Sequence, residues 1–366
     1  MVVAADSVQM DPRALERVEE MFREQIDRGL HPGAALAAYR HGRLVLDLYG
    51  GLADSESGKP ITSDTMFILY SSTKPLAATC LHILKERGKL AWDEPVAKYW
   101  PAFAKNGKQA VNIGHILTHQ GGFPETPVEL TWDKWRDWDL VVRAMEDASI
   151  EYEPGTVIAY HHRNFGWVTG ELVQRVDGRS FSQFLEEELT GPLGMSDTFV
   201  GLPVELEERV SLVHAMEDTD RPGMAWIYNQ PEVHQAVHPA GGGIATARDL
   251  ARFYAMLECG GTLDGVQILR RDTVKEFTKL QVEGLDHSLG RYTYRSLGLA
   301  LRDYRMGDAA AVNINSFGHG GQGTSVGWAD PYSGLGMAYI TNGFRSDESN
   351  ARRLAALSQA VRDACR

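Results

Sequence analysis

Residues 67–78 read FILYSSTKPLAA and contain the feature on which the interpretation of this chain depends, a serine three residues before a lysine. Side chains three residues apart share one face of a helix, so Ser71 and Lys74 touch if a helix begins at or just after Ser71. Pro75 suits the first turn of such a helix, because the N–H group that proline lacks has no partner there. The segment therefore predicts a helix with this serine and lysine in contact at its start.

Two roles fit a serine in this position. Ser71 is either an ordinary N-cap, which serine often is, or a nucleophile. An alcohol becomes a nucleophile when a base takes its proton, and a lysine is such a base when burial or a second cation lowers its pKa from about 10.4 toward neutrality. The spacing alone does not separate these roles, although residues 71–74 are the only S-x-x-K match in the chain.

The composition excludes several classes of function. The 366 residues are 43% hydrophobic and 23% charged, which is typical of a soluble globular protein with a large core. The net charge is −12 and the basic residues are scattered, so we expect neither nucleic acid nor a membrane surface as a partner. The N-terminus lacks a signal sequence and no stretch reaches the roughly 18 apolar residues that span a bilayer, which predicts a cytoplasmic protein.

Segments typical of strands lie near both ends of the chain. GAALAAYR (33–40) and RLVLDLYG (43–50) flank a tight turn and predict a hairpin, and residues 326–330 and 335–341 predict a second one. Apolar residues at helical spacing predict an amphipathic helix over about 11–30 and a closing helix at the C-terminus.

We therefore predict a mixed α+β fold, in which an antiparallel sheet is covered by N- and C-terminal helices and interrupted by a mostly helical insert. Residues 1–70 and 216–366 would form a discontinuous sheet domain and residues 71–215 a mostly helical domain, with the active site between them. Residues 216–240 are rich in aromatic residues, proline and glycine without periodicity, which predicts a long loop beside a pocket.

The segment around Ser71 resembles a family motif. It is similar to the F-x-x-x-S-x-T-K segment of the serine hydrolases built on the class C β-lactamase and penicillin-binding-protein fold. Three further stretches resemble segments of that family in the same order, and the resemblance extends from about residue 14 to 345. These stretches are EPGTVIAYHHRNFG (153–166), HPAGGGIATARDL (238–250) and FGHGGQGTSVGW (317–328).

The resemblance implies a catalytic trio. Ser71 would be the nucleophile and Lys74 its activating base. Tyr160 would occupy the place of the family's tyrosine, where a phenol acts as a base or as a proton relay to the leaving group. Which of Lys74 and Tyr160 takes the serine proton stays open. No metal or organic cofactor is implied.

The third motif implies an oxyanion hole. The edge strand His319-Gly320-Gly321 would let the acyl group approach the backbone, and the N–H groups of Ser71 and Gln322 would hold the oxyanion. Loss of one such donor typically costs about 3 kcal/mol of transition-state stabilisation, so we expect side chains at these glycines to be poorly tolerated.

Two residues depart from the β-lactamase pattern. His162 stands where class C β-lactamases have the asparagine of Y-x-N, and its imidazole is either a substrate-binding group or a structural one. His319 stands where they have the lysine of K-T-G. Because a neutral histidine anchors a carboxylate more weakly than a lysine does, this change favours uncharged esters over anionic β-lactams.

Three other classes of protein fit the sequence less well. Ser325 lies in GTSVG (323–327), which matches the G-x-S-x-G nucleophile elbow, but that fold needs a later histidine and none follows residue 320. His115 and His119 lack the intervening acid of a zinc motif, so we predict no metal site. A non-turnover acyl-serine receptor is a third class, although such sensors are usually tethered to a membrane.

The tryptophans fall into two groups. Trp132, Trp135 and Trp138 lie at helical spacing and are expected to pack within the helical block. Trp226, in its Pro- and Gly-rich segment, and Trp328, just past the oxyanion strand, are instead expected to line the substrate pocket.

The sequence thus predicts a serine carboxylesterase of the type often called family VIII, with a small uncharged, short-acyl ester as its partner. A β-lactamase, a D-amino-acid amidase or peptidase, and an acyltransferase remain alternatives on the same fold, because each would use the same acyl-serine intermediate. The sequence indicates no oligomeric state.

Overall fold

The computed structural model describes all 366 residues, and its strands are spread over the whole chain. They are β1 (Gly33–Arg40), β2 (Arg43–Asp54), β3 (Lys59–Pro60), β4 (Phe67–Ile68), β5 (Thr198–Val200), β6 (His214–Ala215), β7 (Gly243–Ala245), β8 (Thr262–Leu263), β9 (Val266–Gln267), β10 (Val282–Asp286), β11 (Arg291–Arg295), β12 (Ala300–Leu301), β13 (Phe317–Gly321), β14 (Ser325–Asp330), β15 (Leu335–Thr341) and β16 (Gly343–Phe344).

The helices are concentrated in the middle of the chain and at its two ends. They are α1 (Pro12–Asp27), α2 (Lys74–Glu86), α3 (Val96–Tyr99), α4 (Ile113–Leu117), α5 (Trp138–Asp147), α6 (Asn164–Asp177), α7 (Phe181–Leu185), α8 (Gly191–Leu193), α9 (Pro222–Ile227), α10 (Pro231–Gln235), α11 (Ala247–Glu258), α12 (Arg271–Thr278), α13 (Asp308–Val312) and α14 (Asp347–Asp363). No helix is both long enough and apolar enough to span a bilayer.

Nine strands form one antiparallel sheet in the order β10, β11, β12, β13, β14, β15, β1, β2, β3. β15 pairs with β1, so the C-terminal part of the chain completes a sheet that the N-terminal part begins. Both predicted hairpins are present as β1–β2 and β14–β15, and β2 runs on to Asp54 rather than ending at residue 50. The predicted mixed α+β fold, with its antiparallel sheet and covering helices, is confirmed.

Different helices cover the two faces of this sheet. α1 and α14 pack on one face, where Phe22, Tyr339 and Leu354 are among the buried apolar residues. α11 packs on the other face against β1, β14 and β15. α1 begins at Pro12 as predicted, and the Asp11 side chain caps it by accepting a hydrogen bond from Arg13 N at 3.0 Å.

Trp328 lies on the α14 face, so the prediction that it lines the substrate pocket is wrong. Its ring is fully buried, its Nε1 donates to Ser358 Oγ at 3.0 Å, and the Arg362 guanidinium lies 4.0 Å from the ring centroid. Side chains alternate along a strand, and the neighbouring Gly327 is the residue of β14 that faces Tyr254 of α11.

The helical part of the chain is connected to the sheet by a small three-stranded sheet. β7 pairs with both β4 and β5, so strands on either side of the helical part meet at one place. Ser71 lies three residues after the end of β4. The division into residues 1–70 with 216–366 and residues 71–215 stays a prediction.

Residues 216–240, which we predicted to be a long loop, contain two short helices. α9 begins at Pro222 and α10 at Pro231, positions where proline lacks only an N–H group that has no helical partner. These helices are six and five residues long, which is too short to show a helical period in the sequence.

Candidate active site

The turn that carries Ser71 is held by buried hydrogen bonds. Residues Tyr70–Thr73 form a single 3-10 turn, and α2 begins only at Lys74. Ser72 Oγ donates to His319 O at 3.0 Å, and Ser325 Oγ donates to Leu69 O at 3.1 Å. Thr73, not Ser71, occupies the N-cap position of α2, and the Ser71 side chain caps no helix. The N-cap interpretation of Ser71 is therefore wrong.

Lys74 is fully buried, and its amine has three partners. Nζ lies 3.1 Å from Ser71 Oγ, 2.9 Å from His162 O and 3.0 Å from Ala240 O. Burial, with the nearby charges of Arg295 and Arg163, holds the pKa of Lys74 well below its ordinary value. The two backbone carbonyls accept hydrogen bonds from the amine, and its remaining contact is with the Ser71 hydroxyl.

The pKa of Tyr160 is shifted in the opposite direction from that of Lys74. Burial raises its pKa to about 12, although a hydrogen bond with Ser71 and the charge of Arg295 act against that rise. The Tyr160 ring centroid lies 4.7 Å from Lys74 Nζ and 5.1 Å from Arg295 Cζ. Burial therefore acts on the two groups beside Ser71 in different ways, because it favours the protonated phenol of Tyr160 and the neutral amine of Lys74.

A buried ion pair fixes the segment that carries Tyr160. Asp286, at the end of β10, accepts a hydrogen bond from Tyr160 N at 3.0 Å, and its second oxygen lies 2.6 Å from Arg295 Nη2 of β11. Both side chains of the pair are buried. Asp286 and Arg295 were not predicted from the sequence, because neither belongs to a recognisable motif and the contact between Asp286 and Tyr160 spans 126 positions of the chain.

β13 passes very close to the Ser71 turn. A Cβ atom at Gly321 would lie 2.2 Å from Leu69 O, and one at Gly320 would lie 2.2 Å from Arg305 Nη1. At Gly321 the obstacle is backbone, so a side chain there would require the backbone to move, whereas at Gly320 the Arg305 side chain would have to be displaced. Gln322 follows β13 and lines the space next to Ser71, where its N–H group was predicted to face an oxyanion.

Two cavities meet at Ser71. The Tyr160 cavity, of about 280 Å³, is lined by Tyr160, Arg295 and His319, and the Arg163 cavity, of about 200 Å³, by Arg163 and His238. Four residues line both of them: Ser71, His162, Arg221 and Gln322. Ser71 thus has space for a substrate group on each side.

The two histidines that depart from the family pattern are both neutral. Burial lowers the pKa of His162 to about 4, and it holds the pKa of His319 well below the ordinary value. The His162 ring faces both cavities, while its backbone carbonyl is the atom that binds Lys74. Nδ1 of His319 lies 2.8 Å from Gly320 O, and this contact fixes the orientation of the ring.

Trp226 lies outside both cavities, so the prediction that it lines the pocket is also wrong. Its side chain is 57% exposed and packs edge-on against Trp132, with 5.2 Å between the ring centroids. The predicted stripe of three tryptophans is divided between a 3-10 turn at Trp132 and the start of α5 at Trp138. Trp135, between them, is buried as expected and lies 4.9 Å beneath the Arg163 guanidinium.

The rival residues have other contacts. Ser325 is fully buried, lines neither cavity, and is engaged with Leu69 O and the Ser72 hydroxyl. His115 forms a capping box with Asn112, and His119 Nδ1 accepts a hydrogen bond from His161 N. No group of three or more His, Cys, Asp or Glu side chains is arranged to hold a metal ion.

Comparison with known proteins agrees with this geometry. The family model described as Beta-lactamase matches residues 18–362. The esterase/beta-lactamase LipL of Mycobacterium tuberculosis is 31% identical over 85% of this chain and 77% of its own. A crystal structure of a family VIII carboxylesterase is 31% identical with a TM-score of 0.85, covering 96% of this chain and 98% of that one. A penicillin-binding protein homologue from Caulobacter crescentus is 31% identical with a TM-score of 0.84 over the same shares.

Proposed function

The chain belongs to the beta-lactamase family and is a serine hydrolase, and on that basis we propose that it is a carboxylesterase that hydrolyses short-acyl esters through an acyl-serine intermediate. The observation that carries the proposal is the buried contact of 3.1 Å between Ser71 Oγ and the amine of Lys74, whose pKa is lowered by burial. Esterases among the similar proteins support it.

Lys74 is the base of the acylation step. Its lone pair accepts the proton of Ser71 while the Oγ–C bond to the ester carbonyl forms. Tyr160 cannot fill this role at neutral pH, because a phenol with a pKa of about 12 is already protonated. The directions of the two pKa shifts support this division of roles between Lys74 and Tyr160.

Tyr160 supplies the proton for the leaving group. As the bond between the carbonyl carbon and the alcohol oxygen breaks, the phenol protonates the departing alkoxide and recovers a proton from the ammonium of Lys74. The alcohol leaves, and the acyl group stays on Ser71. Attack of water on the acyl-enzyme, with its proton passing to Lys74 and back to Ser71 Oγ, releases the acid.

The backbone stabilises the charge that develops on the carbonyl oxygen. We assign this role to the N–H groups of Ser71 and Gln322, which border the same space. Gly321 allows β13 to lie close to Leu69 O in the turn before Ser71. This close approach sets the distance between the two N–H donors.

A second candidate is a peptidase or amidase for D-amino-acid substrates. Arg291 and Arg302 line the Tyr160 cavity, and neither forms an ion pair; Arg302 instead lies 4.8 Å over the Tyr294 ring. Unpaired guanidinium groups on the leaving-group side favour a leaving group with a free carboxylate. A putative D-alanyl-D-alanine carboxypeptidase of Escherichia coli is 26% identical over 90% of this chain and 82% of its own.

One panel of substrates tests the proposal. We expect p-nitrophenyl acetate and butyrate to be hydrolysed faster than nitrocefin or a D-alanyl amide, with activity lost in Ser71→Ala. If the amide or nitrocefin is preferred by orders of magnitude, the enzyme is a peptidase or a β-lactamase instead. Activity that survives in Ser71→Ala would exclude the acyl-serine mechanism altogether.

A further inference from the structure

The Arg163 cavity contains several polar atoms that have no partner. Both ring nitrogens of His238, the hydroxyl of Tyr70 and Nε of Arg163 lack a hydrogen bond. His238 and Tyr70 are 1% and 2% exposed, so bulk solvent does not satisfy them. Buried polar groups are almost always paired, and a cluster of unpaired ones beside a nucleophile indicates the place of a polar ligand group.

Arg163 also brings an uncompensated positive charge to this cavity. No acidic residue lines the cavity, and the guanidinium forms no ion pair. Its contacts are the Trp135 ring at 4.9 Å and Thr126 Oγ1 at 3.5 Å, and the Tyr228 hydroxyl lies beside it. The polar groups around the cavity are therefore mainly donors, which suits an anionic oxygen.

The substrate's orientation follows from Tyr160, and here the inference rests on the proposed function. Tyr160 lines one cavity and not the other. The leaving group takes its proton from Tyr160, so it departs into the Tyr160 cavity. The acyl group then occupies the Arg163 cavity.

We propose that the acyl group carries a carboxylate, and that the substrates are half-esters of short dicarboxylic acids. The free carboxylate pairs with Arg163 and accepts hydrogen bonds from Tyr70 and Tyr228. The cavity of about 200 Å³ suits a short chain such as succinyl or glutaryl. The neutral His319 led us to expect uncharged esters, but Arg163 lines only the acyl cavity and Arg221 borders both cavities.

Matched ethyl esters test this specificity. Monoethyl succinate, its neutral amide analogue ethyl succinamate, and ethyl butyrate are compared by the rate of acid release in a pH-stat. Because hydrogen bonds to charged groups are the strong ones, we expect kcat/KM for monoethyl succinate to exceed that for ethyl succinamate about 10- to 100-fold. Arg163→Gln should abolish the preference and Arg163→Lys should keep part of it. Arg136→Gln, at an exposed arginine of the same region, should keep all of it.

Each outcome is decisive. If the parent enzyme cleaves ethyl succinamate or ethyl butyrate as well as monoethyl succinate, the specificity proposal is wrong and the esterase proposal stands. If Arg163→Gln lowers all three rates by the same factor, the preference for monoethyl succinate is kept, so Arg163 does not bind the carboxylate and the proposal is also wrong. If no ester is cleaved, the esterase proposal itself fails. Calorimetric binding of succinate but not succinamate to Ser71→Ala would support the carboxylate site without turnover, and equal binding would overturn it.

Discussion

Arg295 and Arg163 flank the same nucleophile but differ in how their charges are balanced. Both lower the pKa of Lys74, one from each cavity. Arg295 is paired with Asp286 in a buried ion pair, whereas Arg163 has no carboxylate partner. The comparison separates two uses of arginine. A paired guanidinium fixes the segment that carries Tyr160, and an unpaired one is available to a ligand.

Lys74 lies between the two arginines, and its loss should have the largest effect. In Lys74→Met no base remains to accept the Ser71 proton, so we expect kcat/KM for p-nitrophenyl butyrate to fall by about 10⁴-fold. Lys89→Met, at an exposed lysine just beyond α2, should have no effect. A fall of less than tenfold in Lys74→Met would show that another group activates Ser71.

Breaking the ion pair between Asp286 and Arg295 should lower the stability of the fold. Asp286→Asn leaves the buried charge of Arg295 without a counter-ion, and breaking such a pair typically costs about 3–5 kcal/mol. The free energy of unfolding in urea measures this change. Asp272→Asn, at an exposed ion pair on α12, should leave the midpoint unchanged. An unchanged midpoint in Asp286→Asn would contradict the structural role of the pair.

The pH dependence of activity should report on the effect of Arg163 on the pKa of Lys74. The neutral amine of Lys74 is the active form, so activity is present above the pKa of Lys74 and is lost as the pH falls through it. Tyr160 stays protonated until about pH 12, so activity should not decline between pH 8 and 10. Removal of a positive charge in Arg163→Gln should raise the pKa of Lys74 and move the acid limb to higher pH. The rate of ethyl butyrate hydrolysis at each pH measures this, and an acid limb that stays in place would contradict the coupling.

The smallest effect is expected at Ser325. Its hydroxyl supports the Ser71 turn through Leu69 O, and one such bond is worth about 1 kcal/mol, so Ser325→Ala should keep most of the esterase activity and lose little stability. Loss of activity to the background of Ser71→Ala would instead revive the nucleophile-elbow interpretation of GTSVG.

The sequence was most informative where function depends on local spacing. Ser71 and Lys74 lie three residues apart, and side chains at that spacing are also neighbours in the 3-10 turn that leads into α2, so their contact was predictable although α2 begins only at Lys74. The hairpins were also predictable, since each joins neighbouring segments of the chain. Tyr160 was found only through the order of the family segments.

The sequence was misleading where position depends on which face of an element a side chain occupies. Trp328 follows the oxyanion strand closely, but the alternation along β14 turns it to the α14 side. Asp286, Arg295 and Arg163 were missed because isolated charged residues carry no signal until the fold brings them to the site. The charge balance of the two cavities could not be predicted for the same reason.

The central claim is that Ser71 alone is made reactive by the neutral amine of Lys74. Its most direct test is peptide mapping by mass spectrometry after reaction with a p-nitrophenyl alkylphosphonate, which forms a stable covalent bond with an activated serine. We predict one phosphonate per chain, located on Ser71, and none in Lys74→Met. An adduct on Ser325, or an adduct on Ser71 that forms equally fast without Lys74, would contradict the account.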